Sequence, residues 1–170
     1  GGDGFYTQVD PTDWTVVYSE SQNGNVNRYD LRTGRSQSIR PSAGGGGGGR
    51  GGGGGRGGGA GDIVPPLPQG EDQVRYNWNT PVVLSPHDPS TVYIGGNRLF
   101  ISKNRGETYS ASPDLTRRFS RDTLSIMGVR GDAPALARHD GVNVWGTIVT
   151  IAESPAVPGI NWVGTDDGNV

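Results

Sequence analysis

VDPTDWTVVYSE, residues 9–20, returns as LSPHDPSTVYIG at 84–95, and SPAVPGINWVG at 154–164 repeats the same order of proline turn, apolar strand and aromatic. Self-similarity at a spacing of about seventy residues is the mark of a repeat architecture, in which one supersecondary unit is copied along the chain. The third copy stops in mid-unit, so the expectation is an internal piece of a larger repeat protein. The opening residues GGDGFYTQ contain neither a start methionine nor a signal peptide and fit the same expectation.

Around these copies, short alternating or β-branched runs are separated by Gly, Pro, Asn and Asp turns, and no helical stripe of useful length is present. The class is therefore all-β. The first unit, 1–40, predicts strands near 5–10, 14–20, 25–30 and 35–40. The second, 80–112, predicts strands at 81–85, 91–95, 98–103 and 107–112. A third, 146–170, opens with strands at 146–153 and 160–165 and turns at Asp166-Asp167-Gly168. Four short antiparallel strands repeated in tandem read as blades of a β-propeller: two four-stranded blades plus the start of a third. A single sandwich or barrel is the competing architecture, but it does not account for copies that recur in phase.

Two long connections, 41–79 and 113–145, separate the units. In an up-and-down meander the turns after the second and fourth strands leave from one end, and those after the first and third from the other. Both insertions and the turns at 20–25, 95–98 and 165–169 are thus expected to crowd one end, which is where function is sought. Unpartnered, apolar positions such as Val16, Val17, Ile94, Leu99 and Ile148 predict exposed sheet faces and marginal stability.

The 170 residues are 31% hydrophobic and include 31 glycines, many of them in the tract GGGGGGRGGGGGRGGGAG at 44–61. With only Arg50 and Arg56 and no interleaved aromatic, the tract is a poor single-strand RNA signal and reads instead as a flexible surface insertion. Fifteen basic residues against 17 acidic ones, a net charge of −2, argue against a nucleic-acid partner. No segment is long and apolar enough for a membrane span. With no cysteine and only His87 and His139, there is no tetrahedral metal set. No cofactor is called for.

The turn Ser102-Lys103-Asn104-Arg105-Gly106-Glu107-Thr108-Tyr109 reads S-x-N-x-G-x-T-Y. A short polar side chain at Asn104 suits turn amides, Gly106 suits a positive φ, and Tyr109 suits packing beneath a hairpin. This arrangement resembles the Asp-box, or BNR, hairpin, usually S-x-D-x-G-x-T-W, with Asn in place of Asp and Tyr in place of Trp. Together with GGDGFYTQVDP, YNWNTPVVLSPHDPSTVYIGG and TIAESPAVPGINWVGTDDGNV, it makes the chain similar to the bacterial BNR or sortilin-like propeller group. Proteins of that group are described as WD/YVTN/BNR-like repeat or glycosyl-hydrolase-like. The resemblance implies a multi-bladed, exported protein, extracellular or periplasmic, whose partners are its own remaining blades and a polysaccharide or protein ligand. It assigns Ser102, Asn104, Gly106, Thr108 and Tyr109 a structural role.

Candidate ligand-binding residues are Asn77, Trp78 and Asn79 of the Y-N-W-N segment, His139 and Asp140 in the second insertion, and Asp166 and Asp167 of the third unit. Trp with Asn suits sugar or peptide contacts; an aromatic plug between units is the competing role for Trp78. Asp3, Asp166 and Asp167 also read as ordinary turn residues, and His139-Asp140 as a solvated pair. A glycoside hydrolase, xyloglucanase- or sialidase-like, is the alternative function. It requires two carboxyl groups roughly 5–5.5 Å apart when retaining and about 6.5–9.5 Å apart when inverting. Asp3, Glu20, Asp166 and Asp167 are the carboxylates available at the proposed end, and none is assigned a catalytic role.

Overall fold

A computed structural model of the chain describes residues 3–42, 73–125, 127–131, 133–134 and 144–170. The glycine tract, including Arg50 and Arg56, lies outside the described residues, as do His139 and Asp140.

Among the described residues, ten strands form three antiparallel sheets. The first is a meander of β1 (Gly4–Val9), β2 (Val16–Ser21), β3 (Asn25–Asp30) and β4 (Arg35–Ser38), and the second of β5 (Val82–Leu84), β6 (Val92–Gly95), β7 (Leu99–Ser102) and β8 (Ser110–Ala111). The third is a hairpin of β9 (Ile148–Glu153) and β10 (Asn161–Thr165). The described sheets do not close into a barrel or a ring.

The three sequence copies adopt one hydrogen-bonded loop. Asp10 N–H donates to the Val16 carbonyl (3.0 Å), Ser85 N–H to that of Thr91 (3.0 Å) and Ser154 N–H to that of Ile160 (2.8 Å). The side chain of the same residue then collects the amides two and three positions on. Asp10 Oδ1 accepts from Thr12 and Asp13, Ser85 Oγ from His87 and Asp88, and Ser154 Oγ from Ala156 and Val157. Such side-chain capture of turn amides fixes the loop without tertiary help. It also fixes strand register, since Val9 pairs Val17, Leu84 pairs Val92 and Glu153 pairs Asn161.

In the first two sheets that register sends the aromatic of the second strand toward the following sheet. Tyr18 of β2 is buried in one core cluster with Val92, Ile94 and Phe100 of the second sheet, and Tyr93 of β6 is buried in another with Ile148 and Ile151 of the third. Tyr93 also donates its hydroxyl to Glu153 Oε1 at 2.8 Å. Ile94, Leu99 and Ile148, expected to present open apolar faces, are instead buried, and Val16 and Val17 are half-buried. The sheets cover one another, so the expectation of bare faces at these positions is corrected.

Strand ends are shorter than the sequence suggested, notably β8, expected over 107–112. Residues 103–109 stay in the turn because Ser102 Oγ accepts the amides of Asn104 (3.2 Å) and Gly106 (2.8 Å), while Asn104 Oδ1 accepts the Thr108 amide (2.9 Å). Amides captured in this way are not available to a strand ladder. The hairpin packs against the first sheet. Arg105 pairs with Asp10 at 3.1 Å, Arg28 donates to the Arg105 carbonyl at 2.7 Å, and Tyr109 lies edge-on to Phe100.

Gly106 has φ +88°, and a Cβ there would stand 2.8 Å from the Ile39 side chain, whereas Gly34 has φ +68° with open space around it. Gly34→Ala is expected to cost roughly 1–2 kcal/mol from the left-handed backbone alone. Gly106→Ala should cost roughly 1–3 kcal/mol beyond that, from overpacking against Ile39. Urea unfolding of the two variants checks this, and equal losses would show that Ile39 simply moves aside.

Candidate functional site

The loops that follow even-numbered strands meet at one end of the molecule. The β2–β3 turn joins the lead-in to β5 through Asn23 N–H donating to the Trp78 carbonyl (3.1 Å). The β6–β7 turn accepts at Gly96 O from Ile148 N–H (2.7 Å), and Asn97 N–H donates to the Arg75 carbonyl (2.9 Å). These bonds tie residues 73–80, 95–98, 113–118 and 145–147 into one polar layer over the sheet ends.

Two aspartates organise it. Asp166 Oδ1 accepts the amides of Gly146 (3.0 Å) and Thr147 (2.8 Å), and its Oδ2 accepts from Thr147 Oγ1 and from Asn77 Nδ2 (3.4 Å). Asp167 Oδ2 accepts the amides of Arg117 (2.7 Å) and Arg118 (3.0 Å), fastening the second insertion to the third sheet. Asn77 and Asp166 are thus brought together. Asn79 is exposed, and its amide donates to Asn77 Oδ1 at 3.0 Å.

Of the aromatics in Y-N-W-N, Tyr76 is the one that packs between sheets. It is buried, its ring fills the space beside Gly24, where a Cβ would come within 2.6 Å, and its hydroxyl donates to the Pro41 carbonyl at 2.5 Å. Trp78 is left 41% exposed at the edge of the polar layer. In a regular strand Tyr76 and Trp78 would share a face, but the chain bends at Trp78 and Asn79, so that Tyr76 turns inward while Trp78 is left outward.

Sequence reasoning missed Asn97 and Asp114 at this end and gave Arg75 no role. Asp114 accepts from Asn97 Nδ2 (2.9 Å), from Thr116 N–H (2.9 Å) and Oγ1 (2.6 Å), and pairs with Arg75 (3.3 Å) and Arg118 (3.2 Å). Burial alone would raise its pKa, but the bonds from Thr116 and Asn97 and the Arg75 charge together hold it down at about 2. A signal was present: D-x-S/T occurs at Asp10, Asp13, Asp88 and Asp114, and in each the aspartate accepts the amide and hydroxyl two residues on. Phe119 and Trp145 were also missed. Trp145 Nε1 donates to the Phe119 carbonyl (2.8 Å) while Arg121 lies 5.4 Å over its ring.

Glu20, at the end of β2, is only 2% exposed. Its Oε1 accepts from Gly24 N–H (3.3 Å) and Thr80 N–H (3.4 Å), joining the first sheet to the approach to the second. Burial pushes its pKa up to about 7, against the pull of those two amides. Asp3 is exposed near the start of β1. Among the described residues no cluster of three or more His, Cys, Asp or Glu side chains is placed to hold a metal ion. No helix of the described residues is long and apolar enough to cross a membrane.

No family model, curated protein or solved structure matches this chain.

Because the folded value of Glu20 lies above that of the unfolded chain, its neutral form stabilises fully below about pH 4.5, and this contribution fades as pH rises to about 7. Glu20→Gln keeps the acceptor and removes the titration. The stability of the wild type relative to Glu20→Gln should fall steadily across that window in urea unfolding. A flat difference would mean that the carboxylate is solvated in the folded chain.

Proposed function

We propose that the chain is a run of β-propeller blades serving as a scaffold and binding module within a larger exported protein, with a polysaccharide or protein as ligand. The blade reading is supported by one loop built three times and by the rule that each sheet buries the preceding sheet's aromatic. Trp162 of β10 occupies the position of Tyr18 and Tyr93 yet is 65% exposed. A further blade stacked on β9 and β10 would cover it as the second and third sheets cover the first two, and the remaining blades are therefore the first partners of this chain.

The binding reading rests on the loop-bearing end. A polar layer fastened by Asp114, Asp166 and Asp167 holds its backbone rigid, and Trp78 stands exposed beside it. Rigid support beneath an exposed indole is the arrangement expected of a contact residue, since it lowers the ordering cost of binding.

The glycoside-hydrolase alternative is less well supported. Its acid needs a raised pKa and contact with the glycosidic oxygen. Asp114 is held low, and Asp166 and Asp167 are occupied by backbone amides. Glu20 has a raised pKa, but it is enclosed between sheets.

Replacing Trp78 by Ala should weaken ligand binding about tenfold, as for truncation of a central aromatic contact, with little change in melting temperature. Calorimetric titration alongside a thermal melt checks this, and parallel loss of affinity and stability would assign Trp78 to packing.

A further inference from the structure

The sheets of this chain meet by one rule. Register pairs Thr7 with Ser19 and Val9 with Val17 in the first sheet, Val82 with Ile94 and Leu84 with Val92 in the second, and Ile151 with Val163 and Glu153 with Asn161 in the third. Two first-strand positions are therefore equivalent throughout: Thr7, Val82 and Ile151 at one, Val9, Leu84 and Glu153 at the other. In the second sheet they serve Tyr18, with Val82 in its core cluster and Leu84 packed against that cluster. In the third sheet they serve Tyr93, with Ile151 in its cluster and Glu153 accepting its hydroxyl. A junction thus has two halves, an aromatic on the second strand of one sheet and this pair of positions on the first strand of the next.

Both halves recur uncovered on the same chain. Thr7 and Val9 are exposed, and so is Trp162, the aromatic of the third sheet. Alternation along the strands places Val17, Ser19, Asn27, Tyr29, Ser36 and Ser38 on the face of Thr7 and Val9, and Thr150, Ala152 and Gly164 on that of Trp162. None of these positions is charged, in a chain that is 19% charged. A sheet face left to water ordinarily takes polar and charged side chains, whereas charge is depleted where a surface is buried in contact.

The first sheet turns its bare face away from the second, and the third sheet does likewise. The two faces point out of opposite sides of the stack and do not meet within one chain. They are nevertheless the two halves that the stacking rule joins, so the chain is complementary to itself.

We infer that a second copy of this chain covers them, the first sheet of one copy lying on the third sheet of another with Trp162 beneath Thr7 and Val9. The inference rests on the blade reading above and names the neighbour. A join between two different faces is heterologous, so copies add head to tail until a ring closes or a filament grows. The net charge of −2 opposes this only weakly.

Sedimentation velocity of the whole chain over a range of concentrations tests it. Copies should associate as concentration rises, and Trp162→Glu and Val9→Glu should each weaken association at least roughly tenfold. An equimolar mixture of the two variants is the sharper measurement. Each keeps the half that the other lacks, so the mixture should form dimers and nothing larger. Should Trp162→Glu fail to fold, Ala152→Glu on the same face must behave in its place. The inference is overturned if the wild type stays monomeric, if the mixture associates no better than its components, or if Val9→Glu assembles as the wild type does, which is the behaviour of two β10 edges paired about a two-fold axis. Wild-type monomers whose Ile148 amide resists hydrogen exchange would overturn the second copy and leave the blade reading standing. Monomers in which that amide exchanges freely would overturn both.

Discussion

A meander one layer thick cannot bury both of its faces, and in this chain each of the first two sheets relies on the next to cover one aromatic of its second strand. Tyr18 lies beneath the second sheet and Tyr93 beneath the third. Everything else follows from placing those rings. The register that points them inward is set by a self-capped loop, and the loop is written three times in the sequence. The edge hairpin then locks onto the neighbouring sheet, with Gly106 against Ile39 and Arg105 on Asp10.

Stacking of this kind also sorts the connections. Strands that alternate in direction send their loops to two ends, and the two ends differ in chemistry. One carries long insertions drawn together by aspartates that accept backbone amides. The other carries short turns and the hairpin, where Arg32 pairs with Asp13, Arg105 with Asp10 and Arg28 with Glu107. Exposed tryptophans occur at both, Trp78 at the first and Trp14 at the second.

Much of this was legible from residue order. The loop repeat gave class, strand count and the end at which insertions gather, because proline turns and side-chain capture of amides are local and leave fixed spacings. The S-x-N-x-G-x-T-Y turn was legible for the same reason. Choices that depend on a neighbouring sheet were not. Whether Tyr76 or Trp78 turns inward is decided by the space beside Gly24, a residue far away in the sequence. The burial of Ile94, Leu99 and Ile148 likewise depends on sheet-to-sheet contact that no single strand reveals. Asp114 was within reach of sequence reasoning through its D-x-T spacing, but its partners Arg75 and Asn97 come from separate loops.

Native-state hydrogen exchange at the Ile148 amide tests the stacking most directly, since this group donates to the Gly96 carbonyl across the junction of the second and third sheets. The account predicts that it exchanges as slowly as the amides of β2 and β6, through opening of the stacked sheets together. Exchange at the rate of an unstructured peptide, with β2 and β6 still protected, would contradict it.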